Sequence, residues 1–338
     1  MKEPVKNTDL EKRIFAASKD NFKLLAIELF NYQYQHNPVY RQYCDLLKTD
    51  TRSVDALHKI PFLPISFFKT HAVTTTEFEP ETIFESSGTT HTGNSKHLVK
   101  DISLYRRTFS ACFEKFYGPV SNKCILGLLP SYLERKHSSL VWMVDELIRT
   151  SNNALSGFYL DDHEKLHRSI LHNEILKQPT LLIGVTYALL DFAEKFPMQL
   201  RHTIIMETGG MKGRREEMTR QEVHAILQKQ LGISLVHSEY GMTELLSQAY
   251  SKGDGIFHCP AWMKVLGRDE DDPLNIPEVN EENNRPLNGI INIIDLANIY
   301  SCSFIATEDA GRFYSNGSFE VLGRVDNSDV RGCSLMTI

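Results

Sequence analysis

Three short apolar runs, each followed by a turn and a stretch of helical periodicity, constrain the fold more than any other feature of the sequence. Such runs bounded by turn residues are typical of buried parallel strands, and a helix is the usual connection between parallel strands. We therefore predict an α/β fold with doubly wound sheets. The runs are 123–130, 180–185 and 203–207, and the helices that follow them are predicted at 138–148, 187–196 and 214–230.

A glycine turn follows the third apolar run directly. Ligands of doubly wound sheets bind beyond the carboxyl ends of the strands, and Gly209 and Gly210 fall there. Glycine allows the backbone to approach a ligand closely. These two residues are therefore candidates for a binding site.

A hydroxyl-rich loop within 84–101 is the strongest candidate site in the sequence. Glycines let backbone N–H groups turn toward an anion, hydroxyls add donors, and a lysine adds positive charge, which favours a polyphosphate ligand. The alternative is a polar surface turn, since serine, threonine and glycine are common in loops. The candidate residues are Ser86, Ser87, Gly88, Thr89, Thr90 and Lys96.

This loop differs from the P-loop of nucleotide triphosphatases. Gly88 and Gly93 have the P-loop spacing, but Asn94 and Ser95 come before the lysine, which the P-loop places directly after its second glycine. The lysine therefore comes two positions late, and a P-loop enzyme is disfavoured.

The segment 237–244 carries a second candidate motif and follows the apolar residues 233–236. Tyr240 offers a flat face for a base, Thr243 a hydroxyl for a phosphate, and Glu244 a carboxylate for Mg²⁺. The alternative is that this segment is simply the end of a strand and the start of a helix.

Composition narrows the class of protein. The chain has 338 residues, is 41% hydrophobic and carries a net charge of -6, without a long basic run, which argues against nucleic acid as the main partner. No apolar stretch is long enough for a membrane span, and the N-terminus lacks the apolar core of a signal peptide. We expect a cytoplasmic protein with no membrane span.

Cysteines and histidines give no metal-binding pattern. The six cysteines have no CxxC spacing, so neither a zinc site nor a redox motif is expected. Cys333 differs from the others because it lies near the end of the sequence in a polar setting. Among the histidines we favour His237, at a predicted strand end near the ligand edge, as a residue that shapes the site.

Four segments are predicted along the chain. Residues 1–80 form an N-terminal helical segment on the core, with Pro38 interrupting a helix. Residues 81–249 form the α/β core that carries the candidate binding motifs, and 250–323 form a small β-rich subdomain of short strands. Residues 324–338 form a hinge and a mobile tail that carries Cys333.

Three segments resemble, in the same order, the motifs of adenylate-forming acyl ligases. The loop with Lys96 resembles their phosphate loop, and 240–244 resembles their motif for adenine and Mg²⁺. The residues 307–309, followed by 323–328, resemble the ribose-binding aspartate and the hinge arginine. The resemblance implies the large-domain fold of these enzymes, with ATP and Mg²⁺ as cofactors.

The same resemblance implies roles for individual residues. Asp309 and Arg324 are expected to hold the ribose hydroxyls, and the Gly209–Gly210 turn to form part of the adenine wall. Tyr240 and Gly241 are expected beside the nucleotide.

Finer features resemble the LuxE family of acyl-protein synthetases. These are found at 86–101, 129–140 and 331–335. In that family a fatty acid is adenylated by ATP, and the acyl group passes to a cysteine near the C-terminus and then to a partner reductase. The resemblance implies that Cys333 is the acyl acceptor. The partner is then an acyl-CoA reductase, an acyl carrier protein or an acyltransferase.

Physical arguments are compatible with this role of Cys333. The segment from Arg324 to Cys333 reaches about 30 Å if extended. Arg331 beside the thiol would lower its pKa and raise the thiolate fraction. The alternative is a terminal cysteine of no consequence.

One departure from the superfamily pattern leaves other functions open. The sequence continues only to residue 338 after Arg324, so we expect the catalytic lysine of the usual C-terminal domain to be absent, unless Lys96, Lys212 or a partner supplies one. One alternative is a ligase that transfers the acyl group directly to CoA or a carrier protein. The other is a non-catalytic subunit that binds nucleotide or acyl group.

Overall fold

A computed structural model of the chain describes residues 7–86, 93–129, 137–210, 215, 218–277 and 285–325. Its α-helices are α1 (Asn7–Phe15), α2 (Phe22–His36), α3 (Pro38–Leu46), α4 (Phe67–Thr70), α5 (Ile102–Tyr117), α6 (Ser139–Ser151), α7 (His163–Ile175), α8 (Thr186–Lys195) and α9 (Arg220–Leu231). Its strands are β1 (Leu63–Pro64), β2 (Thr82–Glu85), β3 (Lys96–Val99), β4 (Cys124–Leu128), β5 (Gly157–Phe158), β6 (Thr180–Gly184), β7 (Thr203–Glu207), β8 (His237–Tyr240), β9 (Ala249–Ser251), β10 (Ile256–His258), β11 (Met263–Arg268), β12 (Leu287–Asp295), β13 (Phe304–Phe313) and β14 (Phe319–Arg324).

The chain divides into two compact units, and each is discontinuous in sequence. The first comprises Met1–Thr108, Thr243–Ser247 and Cys259–Phe319. The second comprises Phe109–Met242, Gln248–His258 and the chain from Glu320 onward. The four segments predicted along the chain stay a prediction.

The first unit packs the N-terminal helices beside antiparallel strands. β12 lies between β11 and β13, β1 pairs in parallel with β13, and β2 and β3 form a separate hairpin. The ring of Phe304 on β13 contacts the rings of Phe30, Tyr40 and Phe62. Burial of these aromatic side chains supplies much of the driving force that holds α2 and α3 against β13.

Pro38 separates α2 from α3, as the sequence predicts. Asn37 ends α2, and its side chain accepts a hydrogen bond from the backbone N–H of Tyr40, which caps α3. Proline is tolerated at the first position of a helix because the N–H it lacks has no partner within the helix there.

The second unit contains a parallel sheet in the order β5, β4, β6, β7, β8. From β4 the chain passes to β5 on one side and then returns to add β6, β7 and β8 on the other. The strand order therefore reverses between β4 and β6, which is the topological switch point of a doubly wound sheet. The predicted α/β fold is confirmed, and β9 and β10 extend this sheet in antiparallel pairing.

Capping residues fix where the helices of the second unit begin. The hydroxyl of Ser138 accepts a hydrogen bond from the N–H of Val141 at the start of α6. Thr219 and Glu222 form a capping box that starts α9 at Arg220. The sequence pattern placed the start of this helix at Arg214, which is wrong for that reason.

Other elements differ from the sequence-based expectations. The strand β3 lies between the hydroxyl-rich loop and α5, so the loop connects the two strands of a hairpin. The segment 237–240 is itself a strand, and β9 rather than a helix follows it. Periodicity did not predict β13 because it carries the polar residues 307–309 in its centre.

Candidate functional site

The β2–β3 hairpin holds the two ends of the hydroxyl-rich loop together. The N–H of Ser86 donates to the carbonyl oxygen of Ser95 over 3.0 Å, and the N–H of Ser95 donates to Oγ of Ser86 over 2.9 Å. Both residues are buried. The hydroxyl of Ser86 therefore closes the base of the loop. The candidate residues Ser87, Gly88, Thr89 and Thr90 lie outside the described residues.

Lys96 is the first residue of β3 and stands opposite Glu85 in the hairpin. Its side chain is 59% exposed, and its Nζ lies 3.9 Å from Oε1 of Glu85. An ion pair this long and exposed contributes little to stability. The ammonium can therefore leave Glu85 for a stronger anion at low cost.

His97, the next residue, faces the interior of the first unit and was given no role by sequence reasoning. Its side chain is buried, and its Nδ1 lies 2.9 Å from the carbonyl oxygen of Thr243. Burial lowers the pKa of His97 to about 4, against the opposing effects of Thr243 and Asn298. The imidazole is therefore neutral at pH 7, and its Nδ1 carries the proton because a carbonyl only accepts.

Two buried side chains fix the backbone around Glu244. The Nδ2 of Asn298 donates to the carbonyl oxygen of Glu244 over 2.8 Å. The carboxylate of Asp295 accepts hydrogen bonds from the N–H groups of Leu246 and Ser247, both at 2.9 Å, and from the hydroxyl of Ser247. Burial raises the pKa of Asp295, although these hydrogen bonds act in the opposite direction. Sequence reasoning missed both Asp295 and Asn298, because each lies in an apolar strand or turn without a motif.

Asp309 lies on the buried face of β13 together with Thr307. Its N–H donates to Oγ1 of Thr307 over 3.1 Å, and that hydroxyl donates to the carbonyl oxygen of Ile291. The guanidinium of Arg268 binds the carbonyl oxygen of Thr307 over 2.6 Å. Burial lowers the pKa of Arg268 to about 10, so the group stays charged at neutral pH.

In the second unit, Glu207 at the carboxyl end of β7 holds the glycine turn. Its Oε2 accepts from the N–H of Gly209 over 2.7 Å and from the hydroxyl of Thr186 over 3.3 Å. Its Oε1 lies 3.5 Å from Nε of Arg220 and 3.9 Å from Nε2 of His224. Burial alone would raise the pKa of Glu207, but His224 and Arg220 hold it at about 2. The carboxylate is therefore ionised, and sequence reasoning missed it.

The turn itself requires glycine. Gly209 has φ +75° and Gly210 has φ +102°, a region that residues with a Cβ rarely adopt. Their carbonyl oxygens accept from the N–H groups of Thr186 and Tyr187, where α8 begins. The predicted binding turn is thus anchored both to β7 and to the start of α8, the helix that precedes β7 in the chain.

Tyr240 and Gly241 follow at the end of β8. The ring of Tyr240 is buried and meets that of Phe257 edge to face at 5.9 Å. A Cβ added to Gly241 would lie 2.5 Å from Oε1 of Glu239. Burial, with the charge of Glu207, raises the pKa of Glu239 to about 8. Two carboxyl groups at neighbouring strand ends thus differ in protonation at neutral pH.

The remaining candidates are placed as follows. Tyr240, Gly241, Gly209, Gly210 and Arg324 belong to the second unit, whereas Ser86, Lys96, Thr243, Glu244 and Asp309 belong to the first. Arg324 is the last residue of β14. Cys333 lies outside the described residues.

His237 is not where the sequence suggested. It is the first residue of β8 rather than a residue at the strand's carboxyl end, and its Nδ1 lies 3.2 Å from the hydroxyl of Tyr117. It therefore does not shape the edge that carries Gly209.

The described residues contain neither a metal cluster nor a membrane-spanning helix. No group of three or more His, Cys, Asp or Glu residues there is arranged to hold a metal ion by itself. No helix in that part of the chain is both long and apolar enough to cross a bilayer.

The fold is that of the adenylate-forming enzymes. MatB of Rhodopseudomonas palustris, solved with ATP, aligns with a TM-score of 0.51 and 16% identity over 72% of this chain and 47% of that one. The O-succinylbenzoate coenzyme A synthetase MenE of Bacillus subtilis, solved with ATP and magnesium, aligns with a TM-score of 0.51 and 16% identity over 75% and 54%. The chain thus spans about half the length of these solved structures.

Within that class, the chain belongs to the LuxE family of acyl-protein synthetases, whose model matches residues 10–337. The long-chain-fatty-acid–luciferin-component ligase of Aliivibrio fischeri is 23% identical over 95% of this chain and 89% of its own length. The ligase of the same name from Photorhabdus luminescens is 40% identical over 20% of this chain and 58% of the relative. The resemblance drawn from the motifs is confirmed at the level of the family.

Proposed function

We propose that this protein activates a long-chain fatty acid with ATP, forms an acyl adenylate and transfers the acyl group to its own Cys333, from which a partner protein receives it. The family match over residues 10–337 is the observation that carries this proposal, because that range spans every candidate motif. The name of the Aliivibrio relative supports a long-chain fatty acid as the substrate.

The chemistry of the available residues supports ATP and Mg²⁺ as cofactors. The Glu244 side chain is a buried carboxylate, the kind of oxygen ligand that Mg²⁺ prefers. The turn at Gly209 and Gly210 presents backbone without side chains, which suits close approach of a flat base. When bound, the metal would neutralise charge on the phosphates.

Each candidate residue then has a role in binding the substrates. Lys96, free to leave Glu85, would bind a phosphate oxygen, together with the hydroxyls of the loop and of Thr243. Asp309 and Arg324 would hold the ribose hydroxyls, and Tyr240 would lie against the base. The fixed backbone around Glu244 would keep its carboxylate in one orientation, so that little reorganisation accompanies the reaction.

The adenylation step is tested by ATP–pyrophosphate exchange across fatty acids of increasing chain length. The proposal requires exchange that depends on a fatty acid and on Mg²⁺ and that is lost in Glu244→Gln. Glu114→Gln, the same change at an exposed position of α5, is the control and is expected to retain exchange. Absence of exchange with every acid, in the presence of candidate partner proteins, contradicts the proposal and favours a non-catalytic subunit.

A further inference from the structure

A cavity of about 240 Å³ lies in the second unit at the amino ends of the parallel strands. Thr180 and Ile204, near the starts of β6 and β7, form part of its wall, together with Phe116 at the end of α5. Because β7 rises about 3.3 Å per residue, this end of the strand is about 13 Å from Glu207 at the other end. The cavity is therefore separate from the edge that carries the glycine turn.

The charges that line the cavity have one sign. Lys123 and Lys252 contribute ammonium groups, and no carboxylate is among the described residues of the wall. The ammonium of Lys123 is partly removed from water, and this burial lowers its pKa. The carboxylate of Glu174, which lies beside the wall residue His202, is already bound by the N–H groups of Arg201 and His202. Glu239, whose charge acts on Tyr117, is largely neutral at pH 7 because burial raises its pKa to about 8.

A histidine and a tyrosine add a directed donor to the cavity. Burial and the charge of Lys252 lower the pKa of His237 to about 4, so its imidazole is neutral at pH 7. Its Nδ1 lies 3.2 Å from the hydroxyl of Tyr117, and in the tautomer that accepts the hydroxyl proton there the ring proton is on Nε2. The imidazole can therefore donate to an oxygen atom of a ligand without carrying a charge.

The volume of the cavity and the aromatic side chains in its wall limit the kind of ligand that it can bind. A cavity of about 150 Å³ holds a benzene ring, so this one has room for a ring and a carboxylate. Phe116 and Tyr117 add ring surface to the wall, and Lys252, whose Nζ lies 5.7 Å from the centroid of the Tyr117 ring, suits with Lys123 the charge of a carboxylate. A bare inorganic anion would leave the apolar surfaces uncovered.

We propose that this cavity is a second ligand site, which binds a small organic carboxylate with a compact apolar body, about the size of benzoate. The carboxylate pairs with Lys123 and Lys252 and accepts from Nε2–H of His237, and the body packs on Phe116 and Tyr117. This inference does not depend on the proposed ligase activity.

The test is isothermal titration calorimetry of the full chain with benzoate in the absence of nucleotide. Benzoate is expected to bind the wild type and to bind Lys123→Gln and Lys252→Gln about tenfold more weakly, the loss of one charge-assisted contact. Lys123→Arg and Lys252→Arg are expected to keep the affinity. Lys229→Gln, the same change at an exposed position of α9, is the control and is expected to bind like the wild type.

Three results would overturn the inference. The first is that benzoate does not bind the wild type. The second is that benzamide, which lacks the charge, binds as tightly as benzoate. The third is that both glutamine variants bind benzoate with the affinity of the wild type. Tighter binding of inorganic phosphate than of benzoate would also contradict the proposed class of ligand. Nucleotide binding, measured on the same variants, reports separately on the proposed function.

Discussion

The Nδ1 of His97 lies 2.9 Å from the carbonyl oxygen of Thr243, and this hydrogen bond joins the hairpin of the hydroxyl-rich loop to the residue directly before Glu244. Both residues belong to the first unit. Neighbouring positions on β3 thus face opposite ways, Lys96 toward solvent and His97 into the core. We infer that His97 positions the two candidate phosphate-binding segments relative to each other.

Protonation of His97 is expected to make stability depend on pH. Its folded pKa of about 4 lies below the ordinary value of 6.5, so the unfolded state binds the proton first as pH falls. Between pH 7 and pH 5 this group alone should lower the free energy of unfolding by about 2 kcal/mol. Urea unfolding of the wild type and His97→Asn at both pH values measures it. An equal loss in the two proteins would contradict the assignment.

The hydrogen bond can be tested apart from the charge. The change His97→Asn places an N–H donor close to the position of Nδ1, whereas His97→Leu fills the space without a donor. If the proposed function is right, the leucine variant binds ATP up to about tenfold more weakly, the value of one hydrogen bond, while the asparagine variant retains most of the affinity. Equilibrium binding of a fluorescent ATP analogue is the measurement. Equal affinity of the two variants would show that the contact serves packing only.

Glutamine substitutions at Glu207 and Glu239 are expected to act in opposite directions. The pKa of Glu207 is depressed to about 2, so its stabilising effect is present above pH 4.5 and is lost as pH falls toward 2. The pKa of Glu239 is raised to about 8, so its folded state becomes less stable as pH rises from 4.5 to 8.

At pH 7, Glu207→Gln should therefore lower the free energy of unfolding by about 3 kcal/mol. Glu239→Gln should raise it by about 1 kcal/mol, a value reduced for its partial exposure to solvent. The two variants serve as controls for each other, because both replace a carboxyl group by an amide, one on β7 and the other on the adjacent strand β8. Shifts of the same sign in thermal unfolding would contradict the assigned protonation states.

The role of the glycine turn can be tested with Gly118, a glycine of similar φ elsewhere in the chain, as the control. Gly209 and Gly118 have φ values of +75° and +74°. Alanine at either position should lower the free energy of unfolding by about 1 kcal/mol, because a residue with a Cβ is strained in the left-handed conformation. Only Gly209→Ala is expected to weaken ATP binding as well. Equal nucleotide affinity in the two variants would remove Gly209 from the proposed site.

The parallel sheet was predictable because its strands are buried on both faces. The runs at 180–185 and 203–207 therefore read as continuous apolar segments, and β6 and β7 coincide with them within one residue. The strand β13 was not predictable in the same way. Its residues Thr307 and Asp309 are polar but buried, and the hydroxyl of Thr307 finds its acceptor on β12, away from its own strand.

The same reason limits what the sequence reveals of the candidate site. Lys96, Thr243 and Glu244 stand in recognisable motifs, whereas the groups that hold them do not. His97, Asp295 and Asn298 act through contacts with residues far away in sequence, as Glu207 acts through Arg220 and His224. A signal for Glu207 did exist, since it is the only acidic residue in an otherwise apolar run and lies just before the glycine turn.

The most direct test of the proposed function is intact-protein mass spectrometry after incubation with ATP, Mg²⁺ and a mixture of fatty acids. The wild type is expected to gain the mass of one acyl chain, the adduct is expected to be labile to hydroxylamine, and Cys333→Ser is expected to remain unmodified. Cys259→Ser is the matched control, because it removes a partly exposed thiol elsewhere. Release of pyrophosphate without an adduct on the wild type would contradict acyl transfer to Cys333 and indicate direct transfer to CoA or a carrier protein.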